Sequence, residues 1–191
     1  MHFSGHILFA ECGEHADAFG IHALSCVKSR ARHARHRQLN NLISLGLTSA
    51  VIPNQLEPPG MSRDDGKRPD GVTLIPWYRG KPLVWDATCV NRLASSYRAA
   101  ATAADTPIAN EAENRKCSKY AGLQNNYFFC PLGFESLGGF GRCARHTIKV
   151  LGKRIEAASS DGNSARYLRE RIAVAIQAGN AAAVLETFSA F

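Results

Sequence analysis

The chain has 191 residues, of which 45% are hydrophobic, and this length and composition fit one packed domain with a small appendage. No apolar run approaches the length that crosses a membrane, and the N-terminus lacks the basic-then-apolar pattern of a signal peptide, so we expect neither a membrane protein nor a secreted one. The net charge of +7 and the sequence pI near 9.3 favour a polyanionic partner.

The six cysteines allow two interpretations. In a secreted protein they would form a disulfide framework, whereas in a reducing compartment they stay as thiols or bind metal. Because the chain has a large core and no signal-peptide pattern, we expect the second case, in a nuclear or otherwise intracellular protein.

Residues 1–28 are short, loop-like and rich in Cys, His and Gly, which is typical of a small zinc site. Cys12, His22 and Cys26 are the candidate ligands, since thiolate and imidazole groups suit zinc. A structural zinc ion takes four ligands, and His15 or His6 would supply the fourth. The alternative is two buried cysteines and a surface histidine.

A helix is predicted from Ser29 to Leu47, because Leu39, Ile43 and Leu47 recur at helical spacing. The stretch is rich in arginine without balancing glutamate, and contact with phosphate groups is one interpretation. A solvated basic face over an apolar stripe is the other. The candidate phosphate-binding residues of this helix are Arg30, Arg32, Arg35 and Arg37.

Residues 55–60 resemble an edge strand that runs into a turn, and the strand carries Glu57. The stretch from 67 to 89 then contains two short apolar runs around a Gly-containing turn, which predicts a β-hairpin. Asp70 opens the first run and Asp86 closes the second, so the two carboxylates fall at the same end of an antiparallel pair.

Two neighbouring carboxylates repel each other, and a hard divalent cation with oxygen ligands relieves that repulsion. The basic residues Lys67 and Arg68 lie beside Asp70, where a phosphate group would lie in a nuclease. Glu57 is either a third carboxylate of this site or an exposed residue before a double proline. The bland interpretation of Asp70 and Asp86 is a turn residue and a strand-end residue in solvent.

A charged helix is predicted over 108–123, with Lys116, Lys119 and Tyr120 near its end. Residues 127–132 are apolar and predict a central strand. Two amphipathic helices, over 142–155 and 165–178, complete the core, and residues 184–191 form a C-terminal tail.

These motifs occur together in an order that resembles a known family. Arg68-Pro69-Asp70, then Asp86, then Lys119-Tyr120, with a Cys/His cluster upstream, is similar to the restriction-like endonuclease domain of the PD-(D/E)xK superfamily. More narrowly, it resembles the domain at the C-terminus of non-LTR retrotransposon reverse transcriptase polyproteins. The resemblance runs from about Cys12 to about Ala183.

The resemblance implies an α/β fold for residues 29–183, a restriction-endonuclease-like core with a small mixed sheet flanked by helices in the order helix, three strands, helix, strand, beside the Cys/His-rich appendage. It implies Mg²⁺- or Mn²⁺-dependent nicking of DNA, with Asp70, Asp86 and the backbone carbonyl of Ala87 at the metal. RNA of the parent element is a further expected partner. The chain is then expected to be a fragment or remnant of such a polyprotein, and the alternative is an inactive nucleic-acid-binding module of the same fold.

The chain departs from the family pattern at two places. Thr88 stands where the superfamily has its catalytic lysine, two residues after the second acid. The resemblance therefore implies that a lysine has moved to the following helix, with Lys119 beside Tyr120 as first choice and Lys116 as second. Ala10 stands where the related zinc knuckles have their first cysteine.

Overall fold

The computed structural model describes residues 12–13, 17, 20–61, 66, 68–94, 97 and 108–187. It has a mixed α/β fold, with a four-stranded mixed sheet flanked by helices, and this level of the prediction is confirmed. The described elements follow in the order α1 (Ile21–Ser25), α2 (Arg30–Ser49), β1 (Asn54–Leu56), β2 (Gly71–Tyr78), β3 (Lys81–Val90), α3 (Ile108–Lys119), a 3₁₀ helix (Ala121–Asn125), β4 (Phe128–Glu135), α4 (Arg142–Ser159) and α5 (Ser164–Glu186).

The strands lie in the order β1-β2-β3-β4. β2 is antiparallel to β1 and β3, whereas β4 is parallel to β3. Arg79 and Gly80 connect β2 to β3 with φ angles of 48° and 75°, the left-handed conformation that tight two-residue hairpin turns need. The predicted hairpin is therefore confirmed.

The prediction that residues 127–132 form a central strand is wrong, because β4 is the last strand in the sheet order. The strand is nevertheless buried from Cys130 to Glu135, since helices cover both of its faces. A parallel strand covered on both faces is apolar along its whole length, so its sequence does not distinguish an edge from a centre.

The two faces of the sheet carry different helices. Trp85 of β3 packs in the main core with side chains from α2, α4 and α5, among them Leu39, Leu151 and Ile172. Val90 packs with α3 in a second cluster. Because successive strand residues point to opposite faces, Asp86 shares the α3 face with Val90.

Helix α2 begins where the sequence predicts, and the Ser29 hydroxyl caps it by accepting a hydrogen bond from the Arg32 N–H at 3.2 Å. Its buried stripe includes Leu39, Ile43 and Leu47. Helix α5 continues past the predicted end at residue 178 to Glu186, through the start of the predicted tail. None of the helices in the described ranges is both long and apolar enough to cross a membrane.

Candidate functional site

The β2–β3 hairpin brings the backbone at Asp70 beside the part of β3 that carries Asp86. The Asp70 N–H donates to the Trp85 carbonyl at 3.0 Å, and the Ala87 N–H donates to Asp70 Oδ2 at 2.6 Å. The Asp70 carboxylate thus contacts the backbone of the residue that follows Asp86. The side chain of Asp70 is 15% exposed and that of Asp86 is 4% exposed.

Asp86 does not close its strand, which corrects the sequence prediction. The pairing of β3 with β2 reaches Trp85, but its parallel pairing with β4 continues to Val90. Asp86 therefore lies where β3 separates from β2 and stays paired with β4 alone. A polar residue after an apolar run is expected both where a strand ends and where it changes its pairing partner, so the sequence does not distinguish the two cases.

Lys116 of α3 contacts Asp86. Its Nζ lies 2.5 Å from Asp86 Oδ1, and its side chain is 25% exposed. The sequence analysis placed this lysine second to Lys119. An ammonium group beside a carboxylate that is almost fully buried offsets a charge that would otherwise be costly to bury.

Close contact between α3 and β4 sets the position of Lys116. A side chain at Gly133 would place its Cβ 2.6 Å from the Ala109 carbonyl oxygen, so only glycine lets α3 lie this close to the strand. Glu113, buried on α3, accepts hydrogen bonds from the Gly133 and Ala144 N–H groups at 3.2 and 2.9 Å. These contacts join α3 to the sheet and to the start of α4.

Lys119 lies on Tyr120. Its Nζ is 3.1 Å from the Tyr120 hydroxyl and 4.6 Å from the centre of the ring. The Tyr120 hydroxyl donates to the Arg68 carbonyl at 3.0 Å, and the tyrosine is 2% exposed. Tyr120 therefore holds the backbone at Arg68, two residues before Asp70, in place.

His36 is a site residue that the sequence analysis did not identify. Its Nε2 lies 3.1 Å from Asp70 Oδ2, and the amide nitrogen of Asn40 lies 3.4 Å from the same ring nitrogen. Asn40 also accepts a hydrogen bond from the Trp85 indole at 3.1 Å. The pair His36 and Asn40, one helical turn apart, thus connects α2 to both strands of the hairpin.

The hydrogen bond to Asp70 raises the pKa of His36, and the charges of Asp70 and Asp86 add to this rise. Partial burial of the ring and the nearby Lys116 ammonium lower the same pKa but do not cancel the rise. The site thus favours the positively charged form of His36 beside Asp70.

Glu57 does not join the two aspartates. Its backbone N–H donates to the Asp70 carbonyl at 2.8 Å, but its side chain is 68% exposed and forms an ion pair with Arg68. The residue has a φ of 48°, which turns the chain at the end of β1. The alternative given above, an exposed glutamate before two prolines, therefore describes its position.

The predicted basic residues have different surroundings. Arg35 is 2% exposed, and its guanidinium donates to Asn180 Oδ1 and to the Leu24 carbonyl inside the protein, so it is not accessible to an external phosphate. Arg37 lines a cleft beside Asp70 together with His33, His36 and Asn41. Arg30 and Arg68 are exposed and Arg32 is half-buried, whereas Lys67 lies outside the described residues.

The N-terminal cluster is a separate group. Cys12, His22 and Cys26 have ligand atoms that lie within 4.8 Å of one another, and Cys12 Sγ is 3.0 Å from His22 Nε2. It is the one group of three or more metal-ligand residues found within the described part of the chain. Asp17 holds α1 by accepting hydrogen bonds from the Ile21 and His22 N–H groups at 2.9 and 2.6 Å.

The cluster has the donor types of three corners of a zinc site, and its ligand atoms are 3.0 Å apart for Cys12 and His22 and within 4.8 Å for the whole group. Tetrahedral zinc with sulfur and nitrogen ligands places those atoms about 3.5–3.8 Å apart. The group can therefore hold a metal ion such as zinc. Ala10 and the two candidate fourth ligands, His6 and His15, lie outside the described residues.

Comparison with protein-family models and with curated proteins finds no match to this chain.

Proposed function

We propose that this protein is a metal-dependent endonuclease that hydrolyses DNA phosphodiesters, of the restriction-like type found in non-LTR retrotransposon polyproteins. One observation carries the proposal. The Asp70 carboxylate accepts a hydrogen bond from the N–H of Ala87, the residue after Asp86, and a lysine from the next helix reaches Asp86, Lys116 Nζ to Asp86 Oδ1, at 2.5 Å. Two acids and a lysine are the charged set of the PD-(D/E)xK motif.

The element order supports the same proposal. Helix α2, the strands β1, β2 and β3, helix α3 and the parallel strand β4 follow in the order expected for an endonuclease-like core. In this interpretation Lys116 replaces the missing lysine at Thr88 by reaching Asp86 from a helix. Lys119 then has a different task, which is to pack on Tyr120.

The two carboxylates fit a hard divalent cation. Among the described contacts, Asp70 uses Oδ2 and Asp86 uses Oδ1, so each retains an oxygen for a ligand. Mg²⁺ binds proteins through one or two carboxylates plus waters, and Mn²⁺ accepts the same donors. Asp70, Asp86 and the Ala87 carbonyl would hold it, and the bound ion would supply charge stabilisation and a more acidic water.

The protein side chains have distinct roles in this proposal. The overall reaction adds a water oxygen to phosphorus and breaks one bond from phosphorus to a sugar oxygen, which leaves a phosphate monoester and a hydroxyl group. Lys116 provides a positive charge for the phosphate oxygens as their negative charge grows. Arg37, which lines the cleft beside Asp70, and Arg68 would contact the DNA backbone, and Tyr120 holds the segment around Arg68 in position.

A second candidate, an inactive nucleic-acid-binding module, is favoured by the partners of the two acids. Asp86 is paired with Lys116, and Asp70 contacts His36. Because each carboxylate has a cationic or hydrogen-bonding partner from the protein, this arrangement is stable without a metal ion. Such a module would bind DNA but leave its phosphodiesters intact.

Nicking of supercoiled plasmid in the presence of Mg²⁺ or Mn²⁺ tests the proposal. We expect nicking by the wild type, loss of nicking in Asp70→Asn, and little change in Glu57→Gln, which removes an exposed charge three residues after β1 begins. No nicking by the wild type with intact DNA binding would favour the inactive module. Nicking by Asp70→Asn at the wild-type rate would refute the site.

The choice of lysine is tested with a matched pair on one helix. Lys116→Gln keeps a hydrogen-bond donor for Asp86 and removes the positive charge, and we expect it to slow nicking by about 10²–10³-fold. Lys119→Gln is the control, with an expected change of a few-fold. Circular dichroism melts of both variants show whether the fold is retained, because loss of the partner of a buried charge is destabilising. A larger effect at Lys119 would reverse the assignment.

The N-terminal cluster is proposed to hold structural zinc. Cys12 and Cys26 would bind as thiolates and His22 through Nε2, the nitrogen that faces Cys12 Sγ. The ion would tie the Cys12 loop to α1, and α1 packs on α5. The cluster then has no part in the chemistry at Asp70 and Asp86.

A further inference from the structure

A second basic surface lies between the last two helices. Residues 142–171 contain eight Lys/Arg and three Asp/Glu, which is a large share of the excess positive charge of the chain. In the sequence analysis these helices complete the core. Their packing, however, leaves a groove between α4 and α5, and we refer to it as the α4–α5 groove.

Four cations line the α4–α5 groove. Arg145 and Lys149 are four residues apart on α4, and Arg166 and Arg169 are three apart on α5, so each pair lies on one face of its helix. All four side chains are exposed. The groove is thus bordered by positive charge on both sides.

Few acids neutralise this charge. Glu170 is the acid that lines the groove, and it lies 3.8 Å from Arg166 in a pair whose side chains are both more than half exposed, which contributes little. Within the described residues, Arg145, Lys149 and Arg169 form no ion pair. The remaining lining is largely apolar, with Phe140 and Ile148 among it.

We infer that the α4–α5 groove binds the phosphate backbone of DNA, at a position separate from the cleavage site. Arginine forks match the geometry of phosphate oxygens, and two rows of cations along a groove suit a repeating anion better than a single small one. The groove shares no lining residue with the cleft beside Asp70. This inference rests on the proposed function for the identity of the nucleic acid, and it adds a second contact to the same DNA.

The test measures DNA binding without cleavage. Fluorescence anisotropy with a short labelled duplex, without added Mg²⁺ or Mn²⁺, gives the dissociation constant of the whole chain over a series of salt concentrations. We expect Lys149→Glu combined with Arg169→Glu to weaken binding by at least about tenfold and to reduce the salt slope by about two, since each lost phosphate contact removes about 0.9 from the slope.

The matched control is Lys153→Glu combined with Arg171→Glu. It replaces one exposed lysine of α4 and one exposed arginine of α5, with the same change in net charge, but neither residue lines the α4–α5 groove. We expect a smaller loss of affinity and a smaller change in slope. Equal losses in the two double variants, or no loss in either, would overturn the inference.

A final arm separates nucleic acid from other polyanions. Unlabelled duplex should displace the labelled DNA from the protein far better than polyglutamate of equal charge does. Equal displacement by the two polyanions would overturn the inference. The proposed function fails independently, through absence of metal-dependent nicking by the wild type, whereas this inference fails through the binding of the two double variants.

Discussion

Two groups of side chains in this protein have the donors of a metal site, and the fold holds them differently. Asp70 directly precedes β2 and Asp86 lies on β3, and both are next to Trp85, which is fully buried and hydrogen-bonded to Asn40. The other group consists of Cys12 from a loop, His22 from the five-residue helix α1 and Cys26 directly after that helix.

The sheet and core thus set the geometry of the aspartates, whereas the order of the thiol cluster would depend on a bound ion. Backbone hydrogen bonds of the sheet set the aspartates in place, so their geometry needs no metal. A five-residue helix is marginal by itself, and a bound ion would supply much of its order. We therefore expect a change in core packing to disturb the aspartates, and the loss of a ligand to disturb the thiol cluster alone.

The largest expected effect comes from Gly71→Ala. A Cβ at this position would lie 2.1 Å from Trp85 Cζ2, and two further ring atoms lie within 2.6 Å. Because Trp85 is fully buried, the ring has no open space to move into, and we expect a destabilisation of about 2–3 kcal/mol in urea unfolding. Both tryptophans, Trp77 and Trp85, are in the hairpin, so their fluorescence reports on this region.

Gly122→Ala is the control for this substitution. Nothing lies within 4 Å of a Cβ at Gly122, and its φ is not in the left-handed region, so we expect a change within about 0.5 kcal/mol. Zinc content should be the same in both variants. Equal stability of Gly71→Ala and the wild type would show that the space beside Trp85 is not filled as described.

A smaller effect, confined to the other group, is expected for Cys26→Ser. Even the hydrogen-bonding partners of metal ligands contribute about 10–100-fold to affinity, so loss of a ligand should weaken zinc binding at least that much. Competition with a chromogenic chelator measures the affinity, and tryptophan fluorescence should show an unchanged hairpin. Cys117→Ser, a half-buried thiol on α3, is the control. Zinc affinity equal to the wild type in Cys26→Ser would remove Cys26 from the site.

The sequence predicted the hairpin well because its geometry is local. A two-residue turn at Arg79 and Gly80 fixes the hairpin, and the hairpin fixes which ends meet. Lys116 could not be preferred over Lys119 in the same way. The rotation of α3 depends on Gly133 and Glu113, and Gly133 is on a strand that no local pattern links to the helix.

Two residues of α2 differ in how far the sequence could have predicted their positions. Arg35 lies four residues before Leu39 and four after Ala31, so it falls on the buried stripe, and the helical period could have identified it as an internal residue. His36 lies next to that stripe and has no sequence feature that links it to Asp70, 34 residues later. Its contact follows from how α2 packs on the sheet.

The smallest expected effect concerns His36. It tests whether the site at Asp70 and Asp86 is stable without a metal ion. The contact with Asp70 raises the His36 pKa above its ordinary value of 6.5. A group whose pKa is raised by folding stabilises the fold fully below its unfolded pKa, and that stabilisation is lost as the pH rises through the folded pKa. The relevant window therefore begins near pH 6.5 and extends upward.

His36→Gln keeps a hydrogen-bond donor for Asp70 but cannot take a charge, so it isolates the ionic part of the contact. Without added Mg²⁺ or Mn²⁺, we expect the wild type to exceed the variant in unfolding free energy by more at about pH 5.5 than at about pH 8, with the difference shrinking as imidazolium is lost. Because the His36 side chain is 45% exposed, solvent screens the pair, and the difference should stay below about 1 kcal/mol. His33→Gln, on the exposed side of the same helix, should show no such pH dependence. If the difference instead grows with pH, neutral His36 is the form that binds Asp70. The negative charge of Asp70 would then not be balanced by His36, and the site would need a metal ion to persist.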